Sequence, residues 1–321
     1  MFIGRKYQVG IGKEATRGTA VVPTFWLPKL EVSVENKEQY LDSEASMGNI
    51  HDSDLARIVK EWSEGEITGH VRDKSFGLFL LSAFGAVSSA VKETTAYNHT
   101  FTVANANNHQ SLTVEVKNDL EQLKYARAVL NSLKISAQVG KFVEFAVGMK
   151  AIKGVTAANT PAYVTENEFI SKNITFKTAT NIAGLAAASA ISVKSIELSI
   201  DKNVDDLEVL GSVAPADYAN KEFKVEGVIE ASFENLADFK AVFEAGTLKA
   251  MRIDITNSDV TIGATSNPEL KIDLASVSFQ DWSRKSGNGE IVSQTIKFKA
   301  HYSLADTKMI EAVLTNLQTA Y

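Results

Sequence analysis

Four landmarks occur twice along the chain in the same order, and this internal repetition limits the fold more than any single motif. The first is an alternating strand. Leu30-Glu-Val-Ser-Val34 sets Leu30, Val32 and Val34 on one face and Glu31, Ser33 and Glu35 on the other; Ile196-Glu-Leu-Ser-Ile200 repeats this, with Glu197, Ser199 and Asp201 on the polar face. A period of two predicts a strand half buried and half wet. The second is a Glu-Gly strand, Glu64-Gly-Glu-Ile-Thr-Gly-His-Val71 and then Glu226-Gly-Val-Ile-Glu-Ala-Ser-Phe233.

The third is a short apolar stretch that reads as a helix ending in glycine, Phe76 to Gly85 and Leu236 to Gly246. Asp73 or Ser75 and Asn235 are the expected N-caps, and the glycines stand where a left-handed C-terminal residue belongs. The fourth is a hairpin, Leu133-Lys-Ile-Ser leading to the strand from Gly140 to Lys150, repeated as Val277-Ser-Phe-Gln leading to the strand from Gly289 to Lys299. The repetition predicts two tandem similar modules, 1–157 and 158–321, separated by the small polar run Gly154 to Ala162. The expected fold is mainly β: two β-sandwich or barrel modules, each with a short flanking α-helix. Asn181 to Ser192 reads as a loop. Met309, Ile310, Val313, Leu314 and Leu317 have helical spacing, which predicts a C-terminal helix.

Composition removes several function classes. The 321 residues contain no cysteine, which excludes disulfide scaffolds, thiolate metal sites and cysteine nucleophiles. The net charge is -6, with residues 1–160 at +1 (18 Lys/Arg, 17 Asp/Glu) and residues 161–321 at -7 (15 and 22). Such a balance is unsuited to gripping phosphate backbones. The longest uncharged stretch, Ser75 to Val91, is shorter than a membrane span and interrupted by glycines and serines. The opening residues carry Arg5 and Lys6 without an apolar run, so no signal peptide is expected.

No pattern carries catalysis. The five histidines lack metal-ligand spacing, and there is no Gly-x-Ser-x-Gly elbow. Gly10-Ile-Gly-Lys13 lacks the rest of a phosphate loop and reads as a tight turn. Asp52 with Asp54, and Asp205 with Asp206, are carboxylate pairs in polar segments, and read as solvated. Asn98-His-Thr fits the glycosylation pattern, but without a secretion signal it carries no weight. No enzyme activity, cofactor or metal is expected.

Two long polar stretches, Asn36 to Ser53 and Lys202 to Asn220, fit poorly inside a compact sandwich. They are expected to be arms that contact a neighbouring subunit or ring, with Tyr40, Asp42, Glu44, Asp52, Asp54, Asp205 and Asp206 as contact candidates.

The first half resembles bacteriophage tail tube proteins. The resemblance lies in Gly10-Ile-Gly-Lys-Glu-Ala-Thr-Arg-Gly-Thr-Ala-Val-Val-Pro-Thr-Phe-Trp-Leu-Pro28, in Gly48 to Asp54, in Ala56 to Gly65, in Phe76 to Gly85, and in Asn131 to Ile135 with its Gly140 hairpin. It covers most of residues 7–154. The second half lacks the Gly-Thr-Ala-Val-Pro-Thr opening and the counterpart of Trp62, so its equivalence rests on the repetition. The resemblance implies a virion structural protein, made in the host cytoplasm, whose six modules form a ring that stacks into a hollow tube. Two modules per chain then imply a homotrimeric, pseudo-hexameric ring of the long-tailed, non-contractile type. It also implies tape-measure and tail-terminator partners, no membrane insertion, and DNA passing without specific binding. Glu31, Ser33, Glu35, Glu197, Ser199 and Asp201 become candidates for a lumen-facing acidic lining. The alternatives are an inner tube of a contractile tail, tailocin or secretion system, a two-domain β-rich adhesin, and, last, an unrecognised hydrolase.

Overall fold

The computed structural model describes residues 3–321; Met1 and Phe2, which open the first expected module, lie outside them. The chain is mainly antiparallel β, with one nine-residue helix, Phe76–Phe84, and a shorter one, Lys240–Glu244.

One layer forms a continuous sheet across the whole molecule. It begins with Lys29–Val32 and Glu35–Asp42, both paired with Ala56–His70. Glu144–Ala151 follows, and then the C-terminal part of the long strand Gln122–Gln138. The next neighbour is Ser195–Asp201 from the second half, succeeded by Lys224–Ser232, Ser293–His301 and the C-terminal part of Glu269–Lys285. The two 17-residue strands, Gln122–Gln138 and Glu269–Lys285, also enter a second layer through their N-terminal parts. There the first pairs with Leu112–Lys117 and the second with Lys249–Thr256. Gln8–Lys13 and Ile174–Ala179 complete those ladders. Buried apolar side chains from both halves form one main cluster between the layers.

The Glu-Gly landmarks have a steric cause. Gly65 lies opposite Val34 and Gly227 opposite Leu198 in the sheet. A Cβ on Gly65 would stand 2.5 Å from the Ser33 carbonyl oxygen, and one on Gly227 would stand 2.2 Å from that of Glu197. Only glycine permits this approach of neighbouring backbones. Gly85 ends the first helix as expected, at φ 88°, its N–H donating to the Leu81 carbonyl.

Several expectations are corrected. The C-terminal segment is a strand, Ile310–Asn316, held between Glu269–Lys285 and Ala96–Val103. Ile310, Ala312 and Leu314 are its buried set, a period of two that the helical spacing concealed; short apolar runs fit both periods, and ladders on two sides decide. Gly10 to Lys13 lies in the strand Gln8–Lys13. A 3-10 turn, Ile182–Leu185, interrupts the expected loop at 181–192. Ser75 occupies the first helix's cap position without a side-chain cap bond; its N–H and hydroxyl donate instead to Glu166, and Asp73 accepts from Asn167. The second helix starts only after Phe239, and Asn235 accepts from Ala237 in a preceding turn. Leu30, expected inside, is 47% exposed.

Candidate assembly surface

The two halves meet edge to edge. Ser132 to Gln138 pairs with Ser195 to Asp201 in unbroken antiparallel register, from Ser132 opposite Asp201 to Gln138 opposite Ser195. Lys134 and Glu197 form an ion pair across this seam at 2.8 Å. Backbone bonds close both ends: Val139 N–H donates to the Lys194 carbonyl, and Lys202 N–H to that of Asn131. Asn131 sits at a bulge, where two residues oppose one on the neighbouring strand, and its carboxamide oxygen accepts the Val204 N–H at 2.9 Å.

Beyond the seam, the second polar stretch forms a small hairpin, Val204–Leu207 with Asp217–Asn220, laid against the first half. Asp206 lies between Lys60 Nζ at 2.6 Å and Lys150 Nζ at 2.8 Å. Burial opposes its charge, but the two ammonium groups prevail and lower its pKa below the ordinary value. Tyr218 is buried, and its hydroxyl donates to the Ala151 carbonyl at 2.6 Å. Arg17 reaches over from the first half: Nε bonds Asp217 at 2.8 Å, while Nη1 and Nη2 donate to the carbonyls of His109 and Tyr218. Glu14, itself buried, accepts from Ser111, Thr113 and the N–H groups of Gly18 and Arg127, and so fixes the loop that carries Arg17.

The corresponding stretch of the first half is also a hairpin, with Glu35–Asp42 paired to the start of Ala56–His70. Its base is tied to the body, where Lys153 pairs with Glu38 and Glu61, Asn36 accepts from the Gly154 N–H, and the Glu61 N–H donates to the Val213 carbonyl. Its tip, 43–55, is almost wholly exposed, and Ile50 entirely so. Tyr40, Asp42, Glu44, Asp52 and Asp54 are all exposed on it. Asp205 pairs with Lys221 at 3.3 Å and, unlike Asp206, stays at the surface. The long stretches are therefore paired hairpins through much of their length rather than loops.

At its two ends the continuous sheet has open margins. Among the described residues, no strand pairs with the outer edge of the 31–39 segment, or with 278–285 on the side away from Ser293–His301. On the face pointing away from the core lie Glu31, Ser33, Glu35 and Asp201, all exposed, with Glu197 and Ser199 half-buried. Lysines share that face: Lys37 pairs with Glu35 at 3.1 Å and Lys297 with Asp281 at 3.0 Å. The face is thus less acidic than Glu31, Glu35 and their counterparts suggest alone.

Among the described residues no cluster of His, Asp and Glu has the geometry to hold a metal ion, and no helix is long and apolar enough to cross a membrane. The sequence profile of the family described as phage tail tube protein matches residues 4–300, nearly the whole chain and both sides of the seam. The chain belongs to the phage tail tube protein family. No curated relative matches it. As a tail tube protein it is a structural component of a virion that assembles with copies of itself.

Three elements of this tail tube protein escaped the sequence reading. The Glu14 and Arg17 pair lies within the stretch that carries the family resemblance, yet its side-chain role depends on partners 92 to 201 positions away. Lys202 begins a polar stretch but is 1% exposed, its ammonium donating to the Ser82 carbonyl in the last turn of the first helix. Asn131 opens one of the segments that carry the resemblance, but its role gave no signal, because a bulge is visible only once both strands are placed.

Proposed function

We propose that three copies of this chain close into a ring, and that rings stack into a hollow tube conducting DNA from the phage head to the host cell, with no enzymatic step. The observation that carries the reading is the continuous sheet: residues 29–151 contribute five strands, the first two end to end along one neighbour, and residues 195–301 four, in the same spatial order, joined at one seam, with an unfilled margin at either end. Open strand edges drive association unless they are covered. A rotation that brings one margin to the other closes a ring. In this reading the two halves are copies of one module, and three chains supply the six modules the family resemblance implies.

The tube passage is lined by the outward face of that sheet, including Glu31, Ser33, Glu35, Glu197, Ser199 and Asp201. A net negative wall repels the DNA phosphates and lets the genome slide. Ion pairing with Lys37 and Lys134 moderates that field. The outer part of the first half's hairpin, residues 40–58, serves as the arm toward a neighbouring subunit or ring, and tape-measure and tail-terminator proteins set the length of the stack.

Negative-stain electron microscopy of the purified chain tests the proposal. Rings with threefold or pseudo-sixfold symmetry, or tubes, are expected; monodisperse single particles at high concentration would refute it. Replacing Glu197 and Asp201, the lining carboxylates away from both open margins, with lysine should leave assembly intact and impair DNA ejection, and unchanged ejection counts against the lining. Deleting residues 40–50 should abolish tubes but leave folded protein; normal tubes would remove the arm from the account.

A further inference from the structure

The seam inside the chain is a template for the seam between chains. This inference rests on the ring reading and adds to it a residue-by-residue register.

Strand pairing fixes which positions of the two halves correspond. Val34 opposite Gly65 matches Leu198 opposite Gly227. The correspondence continues through an irregularity into the arms. Tyr40, Leu41 and Asp42 face Ile58, Arg57 and Ala56, as Val204, Asp205 and Asp206 face Asn220, Ala219 and Tyr218. At the other margin, Leu133 faces Val147 and Trp282 faces Ile296. The single-residue bulge recurs as well: Asn131 is the extra residue in one strand and Gln280 in the other. In the first half's strand, Asn131 is used to hold the second half's arm. Gln280 is exposed, and no arm lies against it among the described residues.

We propose that residues 281–285 of one copy pair antiparallel with residues 33–37 of the next, setting Asp281 opposite Lys37, Ser283 opposite Glu35 and Lys285 opposite Ser33. The bulged Gln280 then receives the backbone N–H groups of Glu38 and Tyr40, as Asn131 receives those of Lys202 and Val204. The occupant of each margin is a second copy of this chain, because each margin carries the surface that fills the corresponding margin within the chain. Charge agrees with this register. Lys37 meets Asp281 directly, and Lys285 falls diagonally between Glu31 and Glu35; cross-strand and diagonal neighbours are within reach of long side chains. A shift of two residues in either direction breaks the Lys37–Asp281 match: in one direction it sets Asp281 against Glu35, and in the other it leaves Lys37 opposite Ser283 and Asp281 opposite Gln39, with Lys285 opposite Glu35 as the pair gained in exchange. A shift of one turns every side chain to the wrong face. At the arm, Asp42 takes the place of Asp206 and Lys299 that of Lys150. Glu222 stands where Lys60 does in the template, so this contact is weaker than its counterpart.

The absence of cysteine makes a direct test simple. The backbone bonds at Lys194 and Lys202 put the seam's hydrogen-bonded pairs at even-numbered residues of that strand, which leaves 197, 199 and 201 as the closer, non-hydrogen-bonded positions. Glu35 and Ser283 correspond to one such pair, with Cα atoms about 4.5 Å apart, inside the range of a disulfide. The full-length chain carrying Glu35→Cys and Ser283→Cys is assembled, mildly oxidised and run on a non-reducing gel. Reductant-sensitive covalent trimers are expected, at least about five-fold more abundant than from the register-shifted pairs Glu35→Cys with Asp281→Cys, and Glu35→Cys with Lys285→Cys. Equal or greater yield from a shifted pair overturns the register, as do assembled particles without crosslinks.

If the cysteine variants do not assemble, the charge swap decides. Lys37→Glu and Asp281→Lys should each reduce assembly, and the two together should restore it; a combined variant no better than the singles overturns the register. Wild-type protein that forms neither rings nor tubes under the microscope defeats the ring reading itself, independently of either variant set.

Discussion

Replacing Lys202 with methionine should make the protein more stable at pH 6 and remove most of the dependence of its stability on alkaline pH. The ammonium is buried beneath the end of the Phe76–Phe84 helix and bonds the Ser82 carbonyl at 2.8 Å. Burial, with a smaller contribution from Arg17, lowers its pKa from 10.5 to about 7. The unfolded chain keeps its proton up to the ordinary value. Between the two values the unfolded state therefore binds more protons, and stability rises with pH. Below pH 7 both states are protonated, and the folded state bears the whole cost of the buried charge. At about 1.4 kcal/mol per pH unit, that interval corresponds to an upper bound of about 5 kcal/mol. His109 deepens the acid side. Burial and then Lys202 depress its pKa, so further stability is lost as pH falls below the ordinary histidine value. Methionine keeps the volume and removes the charge, but it leaves the Ser82 carbonyl without this donor, at about 1 to 3 kcal/mol. The expected gain at pH 6 is therefore about 2 to 4 kcal/mol, shrinking to nothing or reversing near pH 10.5. Urea unfolding of the unassembled chain at intervals from pH 6 to 10.5 measures it. A constant difference between variant and wild type across that range would refute the reasoning.

Two other substitutions probe the join between the halves and the strand packing within the second half. Arg17→Ala removes the contacts to Asp217, Tyr218 and His109 and leaves the first carboxylate short of a partner. A loss of about 2 to 4 kcal/mol is expected in urea, and a loss below about 0.5 kcal/mol would mean that the clamp is incidental. Gly227→Ala brings a methyl group to 2.2 Å from the Glu197 carbonyl oxygen and to 2.4 Å from the Phe298 ring. It should cost at least about 1 to 3 kcal/mol and lower the thermal midpoint, and an unchanged midpoint would contradict the close approach of the strands.

Much of the local structure was legible because it depends on near neighbours in the chain. The period-two runs around Val32 and Ile196 became strands, although Leu30 turned outward at the start of its strand. The apolar Phe76 segment and its glycine became a helix with a left-handed end. The polar stretches were recognised as exceptional, but their hairpin pairing was not. Gln39 and Tyr40 pass through an irregularity, and alternation is lost in a strand exposed on both faces. The capping expectations failed for a related reason: Glu166, 91 positions away, satisfies the helix start in place of a local side chain.

The sequence by itself determined a mainly β chain, its family resemblance and the landmarks that recur in both halves, because alternation, glycine punctuation and repetition are written within a few residues of each other. Tertiary structure alone decided that Ile310–Asn316 is a strand, that Lys202 lies under the helix of the other half, and that one sheet runs unbroken from Glu35 to Lys285. Those outcomes depend on pairings between residues far apart in the chain, where backbone hydrogen bonds on both sides of a strand outweigh its own weak preference.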